Sequence, residues 1–189
     1  MLPVDADPRT LLVVGDSLSA AYGIDPRQGW VALLDDRLKR GKQNYYKVVN
    51  ASISGDTTAN GAARLPELLT RYKPAVVIVE LGGNDGLRGL PLNEMKRHLT
   101  KIVSQARAQG ASVLLVGVEI PPNYGPVYTE KFRSVYRDVA REQNVALVPS
   151  ILAGIGIDRD QMQPDGIHPK ADAQGRMLDN VWHELRPLL

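Results

Sequence analysis

Acyl transfer needs a hydroxyl, a base to deprotonate it and a carboxylate to orient the base, and this chain holds candidates for all three at two distant points. Ser17 stands in Gly15-Asp16-Ser17-Leu18-Ser19-Ala20, while Asp165 and His168 stand in Pro164-Asp165-Gly166-Ile167-His168-Pro169. Asp165 precedes His168 by three residues in a turn bracketed by Pro164 and Pro169. That is close enough for its carboxylate to hold the imidazole Nδ1–H and leave Nε2 as a base. The other two of the three histidines suit the role less well. His98 lies among Lys96, Arg97 and Lys101, and His183 beside Glu184, so both read as solvent-facing or helix-end residues.

Two further segments offer preorganised donors for the oxyanion that develops when serine attacks a carbonyl. Gly55, in Ser54-Gly55-Asp56-Thr57-Thr58, can present its backbone N–H with no side chain in the way. Asn84, in Gly82-Gly83-Asn84-Asp85-Gly86, carries an amide donor just past glycines that permit a tight turn. Each segment alone has a plainer reading. Ser17 suits a helix N-cap, Asp165 with His168 a structural hydrogen bond, residues 55–58 a turn before a capped helix, and residues 82–86 a turn. The phosphate-binding patterns G-x-G-x-x-G and G-x-x-x-x-G-K-[ST] are missing, as is the G-x-S-x-G nucleophile elbow, and no second histidine or cysteine has metal-ligand spacing. Jointly, serine, glycine, asparagine and an Asp/His pair are better explained by catalysis, provided the fold brings them to one place.

The elements able to do so follow from hydrophobic periodicity. Apolar runs, several rich in β-branched residues, recur at 11–14, 48–49, 75–79, 113–118 and 145–148, as expected of strands buried on both faces of a parallel sheet. Helical patterns lie between and after them at 30–39, 58–72, 92–108, 129–143 and 171–185. Gly41 and Gly110 sit where left-handed C-terminal caps would end two of these helices. The alternation predicts an α/β chain: a three-layer α/β/α, flavodoxin-like doubly wound parallel sheet of about five strands. Ligands bind such sheets beyond the carboxyl ends of the strands, where segments 15–19, 50–58, 80–86 and 164–169 should gather. Leu87, Leu90, Ile120, Pro121 and Tyr124 then become candidate linings of an acyl groove, although Leu87 and Ile120 suit core packing equally well. No repeat, low-complexity tract or linker divides the chain, so residues 10–189 are expected to form one domain behind an N-terminal extension of residues 1–9.

Composition narrows the class. With 43% hydrophobic and 23% charged residues the chain can bury its own core. A formal charge of +2, with the basic residues dispersed, leaves no electrostatic footprint for nucleic acid or an anionic membrane. Without cysteine there is no disulfide, thiolate metal site or cysteine nucleophile. No apolar run approaches membrane-spanning length, and the opening MLPVDADPRT lacks the apolar core of a signal peptide. Stable membrane insertion is not expected, and a monomer or small homo-oligomer is.

Taken in order, GDSLSA, NASISGDTT, VELGGNDGLRG and PDGIHP resemble the blocks of the SGNH (GDSL) hydrolase superfamily, and within it the bacterial multifunctional acyl-CoA thioesterase/arylesterase/lysophospholipase subfamily. The similarity runs from about Thr10 to the C-terminus. By matching position, it implies Ser17 as nucleophile, His168 as general base and then acid, and Asp165 as the group orienting it. It implies oxyanion donation from the Ser17 and Gly55 N–H groups and the Asn84 amide. Asp16 is assigned no chemical step, only a hydrogen bond within its turn. The implied reaction is hydrolysis of a small-molecule acyl ester or thioester through an acyl-serine, with no cofactor. The implied location is periplasmic or secreted, with a cytoplasmic one left open by the opening residues. Two rivals stay open: a carbohydrate O-acetylesterase on the same fold, which should prefer acetyl groups, and a non-catalytic flavodoxin-like binding module, which leaves Asp165 and His168 unexplained.

Overall fold

Residues 11–14 are apolar toward both faces of the strand they form, so helices must cover it on both sides, and all four are fully buried. In the computed structural model, which describes residues 8–156 and 158–189, this strand is β1 (Arg9–Gly15). Beside it lie β2 (Tyr46–Asn50) and β3 (Val76–Glu80), and β4 (Ser112–Val116) and β5 (Ala146–Val148) extend the sheet beyond β3. All neighbours pair in parallel, in the order β2-β1-β3-β4-β5. The expected doubly wound sheet is what the chain adopts. Its helices are α1 (Trp30–Arg40), α2 (Thr58–Tyr72), α3 (Gly83–Leu87), α4 (Leu92–Ala108), α5 (Pro126–Gln143) and α6 (Gln174–Leu185). Helices α1 and α6 pack together over one face, and α2, α4 and α5 form a row over the other. One continuous cluster of buried apolar side chains, from Leu11 to Leu185, joins the layers. None of the helices among the described residues is long and apolar enough to cross a membrane.

Element boundaries show where local chemistry acts. Helix α2 starts at Thr58 because Thr57 and Asn60 form a reciprocal capping box. Helix α5 starts three residues earlier than periodicity predicts, at Pro126, where proline's fixed φ suits the first helical position. Gly110 takes the left-handed conformation expected of it, with φ +83°. Gly41 does not: its φ is −94°, and its N–H returns to the Leu38 carbonyl, closing the last turn of α1 without a left-handed residue. Left-handed caps occur instead at Lys73 and Asn144, which end α2 and α5. Helix α3 appears within the segment expected to be a loop after β3. Strand β1 begins at Arg9, inside the expected extension, while residues 1–7 lie outside the described residues.

Winding direction reverses between β1 and β3, since the chain visits the edge strand β2 between them. Such a switch point opens a crevice at the carboxyl ends of the two strands. Register sets Gly15 opposite Glu80, so both strands release the chain at one level: β1 into the Ser17 turn, β3 into Leu81, Gly82 and α3. Gly82 makes that exit possible. Its φ is +121°, and a Cβ there would collide with the Tyr136 hydroxyl, which donates to the Leu81 carbonyl at 3.0 Å. Gly82→Ala should therefore destabilise the fold by about 2–4 kcal/mol in denaturant titration, through strain added to overpacking, whereas an unchanged midpoint would show that the exit from β3 relaxes freely.

Candidate active site

Ser17 lies two residues beyond the end of β1 in a turn built by its neighbours. The Asp16 side chain accepts the Leu18 N–H at 3.1 Å, the turn bond expected of it, and the Ala20 N–H returns to the Asp16 carbonyl at 2.9 Å. Gly15 lets the turn fold tightly, because a Cβ there would come within 2.7 Å of Ser19 and 2.9 Å of the Glu80 carboxylate.

The second half of the site comes from the loop between β5 and α6. Pairing of Met162 with Pro169 closes this loop, and Gly166 turns it at φ +67°. Asp165 Oδ1 accepts the Ile167 and His168 N–H groups at 2.9 and 3.0 Å, which aims Oδ2 at His168 Nδ1, 2.7 Å away. On the far side of the ring, Nε2 lies 2.8 Å from Ser17 Oγ. Burial alone would raise the Asp165 carboxyl, but the His168 N–H, the imidazole and the Ile167 N–H outweigh it and hold the group down at about 2. An ionised Asp165 only accepts, so Nδ1 carries the proton and Nε2 is left to accept the Ser17 hydroxyl. The Tyr22 ring packs 4.5 Å from the imidazole, and Gln163 donates to the Tyr22 and Pro169 carbonyls at 2.8 and 3.0 Å, tying the two loops together.

Gly55 and Asn84 arrive on the same cavity as Ser17 and His168, a space of about 660 Å³. The turn at 53–56 is closed by the Asp56 N–H on the Ile53 carbonyl at 3.1 Å, and Gly55 takes φ +86° within it. A Cβ at Gly55 would meet only Arg88 Nη2, at 3.8 Å, so the backbone conformation rather than lack of room requires glycine. Asn84 stands in the first turn of α3, where its Nδ2 donates to Asp16 Oδ2 at 3.1 Å and to the Asp56 carbonyl at 2.9 Å. Both amide hydrogens thus have acceptors, and donation to a third would exchange one, the longer bond to Asp16 being the weaker hold.

Of the expected groove residues, Leu87, Ile120 and Pro121 line the cavity. Ile120 is also packed in the core, at 6% exposure. Leu90 and Tyr124 stand outside the lining, each 37% exposed, and the Tyr124 hydroxyl reaches the wall indirectly by donating to the Leu87 carbonyl at 2.8 Å. Leu18, Val118, Leu152, Met162 and Ile167 complete the apolar wall. They come from three separate loops, and no local pattern marked them.

Sequence reasoning also missed the acid beneath the turn. Glu80 ends the buried run of β3 with no exposed surface, accepting the Ser19 hydroxyl at 2.6 Å. A charged residue closing an otherwise apolar strand was the available signal. Burial, then the charge of Asp16, push Glu80 well above the usual carboxylate range. Asp16 is raised to about 6, chiefly by burial and further by Asp56, against the Leu18 N–H, His168 and Asn84. His98 is half-buried rather than solvent-facing, with Nδ1 3.4 Å from the Thr58 hydroxyl. His183 is exposed beside Glu184 as expected. Among the described residues, no group of three or more His, Cys, Asp or Glu is placed to hold a metal ion.

The raised Glu80 carboxyl fixes the sign of one pH dependence. Its stabilisation is present below the unfolded value and is lost as pH rises through the folded one. Glu80→Gln mimics the protonated side chain, so from about pH 5 to about pH 9 the wild type should lose more melting temperature than the variant, while both stay active near neutrality. Parallel melting curves would mean that Glu80 is already ionised.

Comparison with known proteins agrees with this geometry. The model of the GDSL-like lipase/acylhydrolase family matches residues 13–176. Esterase TesA of Pseudomonas aeruginosa is 56% identical over 190 residues, covering 100% of this chain and 94% of that protein. Thioesterase 1/protease 1/lysophospholipase L1 of Escherichia coli K12 is 44% identical over 180 residues, covering 95% of this chain and 85% of that protein. A crystal structure of TesA superposes with a TM-score of 0.94 at 57% identity, covering 96% of this chain and 100% of the other. With its serine, imidazole and carboxylate in one hydrogen-bonded line at the switch point, this chain belongs to the GDSL-like lipase/acylhydrolase family and is a hydrolase of that class.

Proposed function

We propose that the chain hydrolyses carboxylic esters and acyl thioesters, including aryl esters, acyl-CoA and lysophospholipids, with Ser17 as nucleophile. The observation that carries this reading is the continuous contact from Asp165 Oδ2 through His168 to Ser17 Oγ, at 2.7 and 2.8 Å. Ser17 Oγ attacks the carbonyl carbon as His168 Nε2 takes its proton, and the resulting imidazolium is stabilised by Asp165. The Ser17 and Gly55 N–H groups and the Asn84 amide receive the negative charge, Asn84 exchanging its bond to Asp16 for one to the oxyanion. Collapse expels the alcohol or thiol, which takes the proton from His168; water then attacks the acyl-serine as His168 Nε2 takes its proton, and the second collapse breaks the acyl–Oγ bond, releasing the carboxylic acid as Ser17 Oγ recovers that proton.

The breadth of substrates rests on the shape of the cavity and on the names of the relatives, an esterase and a thioesterase/lysophospholipase. Among the described residues, the large apolar side chains that stand exposed, Tyr22, Ile53, Leu90, Tyr124, Val127 and Ile167, all lie on segments beyond the carboxyl ends of the strands. An amphiphile entering tail first would slide past them into a wall of Leu, Ile, Val and Met. The chemistry calls on no metal or organic cofactor. We also infer one catalytic domain running from Arg9 at the start of β1 to residue 189, working outside the cytoplasm as a monomer or small homo-oligomer.

Ser17→Ala should leave a folded protein whose turnover of an aryl ester falls by about 10³-fold or more, with the melting temperature little changed. Near wild-type turnover in the folded variant would reject the assignment.

A further inference from the structure

The loop that presents Gly55 is held by a guanidinium that the hydrolytic scheme does not use. Arg64 lies in the second turn of α2, and its side chain reaches back over both ends of that loop. Nε donates to Asp56 Oδ2 at 2.7 Å, at the loop's far end, and Nη1 donates to the Ala51 carbonyl at 2.5 Å, at its start. Nη2 stands 3.4 Å from the Gly15 carbonyl, the last residue of β1, which also accepts the Ile53 N–H at 3.1 Å. One planar fork thus spans the loop and the strand that delivers Ser17. The Arg64 and Asp56 side chains are only 19% and 13% exposed, so water competes little for the pair.

Stability alone gives a weak reason for such a pair, because replacing a buried ion pair with apolar groups is often neutral. Its geometry gives a stronger one. The Asp56 carbonyl accepts Asn84 Nδ2 at 2.9 Å, and the Asp56 N–H closes the turn in which Gly55 sits. Asn84 is itself referred to α2, since its neighbour Asp85 accepts the Thr58 N–H at 2.9 Å and the Thr58 hydroxyl at 2.5 Å. Helix α2 is therefore the common frame: its N-terminus fixes α3, and Arg64 fixes the loop and the end of β1.

We propose that Arg64, through Asp56, is a positioning residue that sets the spacing between Ser17 and the oxyanion donors Gly55 and Asn84. The proposal rests on the reading of those two residues as donors. Arg64 touches no reacting atom. What it fixes is where the tetrahedral oxygen must sit, and displacement of a donor by a fraction of an ångström weakens stabilisation in the transition state more than binding of the ground state.

The test uses Arg64→Lys, which keeps the charge but not the fork, and the double variant Arg64→Met/Asp56→Asn, which removes the pair without stranding a buried carboxylate. Steady-state kinetics on an aryl ester should show kcat reduced about 10- to 100-fold in the double variant with KM within about twofold, and an intermediate loss for Arg64→Lys. Added to the double variant, Asn84→Ala should cost much less than it costs the wild type, since its partner geometry is already lost. Unchanged kcat in the folded variants, or a rise in KM alone, would overturn the proposal. If the double variant does not fold, Arg64→Lys carries the same decision. Should Asn84→Ala leave wild-type kcat intact, the donor assignment itself fails, which separates that outcome from a failure of Arg64.

Discussion

Everything at this site depends on two adjacent parallel strands ending level. Gly15 and Glu80 are register partners, so the turn carrying Ser17 and the short helix carrying Asn84 start from the same height on the sheet. Backbone pairing buried on both faces is among the most rigid features a small domain has, and it resists the sub-ångström drift that would spoil a catalytic constellation. The remaining parts are tied around this edge by side-chain hydrogen bonds: Arg64 links the β2–α2 loop to α2 and to Gly15, Asn84 links α3 to Asp16 and Asp85 links it to α2, and Gln163 links the Asp165/His168 loop to Tyr22.

Three carboxyl groups around this site illustrate how environment divides labour. Asp165 lies near the surface and receives three hydrogen bonds, which keep it ionised so that it can fix the imidazole tautomer. Glu80 is sealed beneath the turn against the Ser19 hydroxyl, and burial pushes it well above the usual carboxylate range. Asp16 lies between them, buried but bonded to Leu18 and Asn84, and is raised to about 6.

Much of this was legible in the sequence, for identifiable reasons. Runs such as Leu11–Val14 read as buried strands because nothing polar interrupts them, and α2 and α4 were placed to the residue by their amphipathic stripes and flanking signals. Ser17, Asp165 and His168 stood out because loops at strand ends gather in doubly wound sheets, so residues as far as 151 positions apart could be weighed together. What stayed hidden lies in tertiary geometry. Arg64 carried no signal in the sequence, because only the fold turns it back onto Ala51 and Asp56. Helix α3 was hidden by its glycines, Gly41 by the assumption that a cap must be left-handed, and Leu90 and Tyr124 by the assumption that a loop beside the cavity faces into it.

The central claim is that Ser17 is activated by the His168–Asp165 pair, and covalent trapping tests it most directly. The protein would be incubated with a fluorophosphonate at neutral pH and the adduct mapped by mass spectrometry. The account predicts one phosphonyl group per chain, on Ser17, formed far more slowly when His168 is replaced by alanine. No adduct, or an adduct on another residue with Ser17 unmodified, would contradict it.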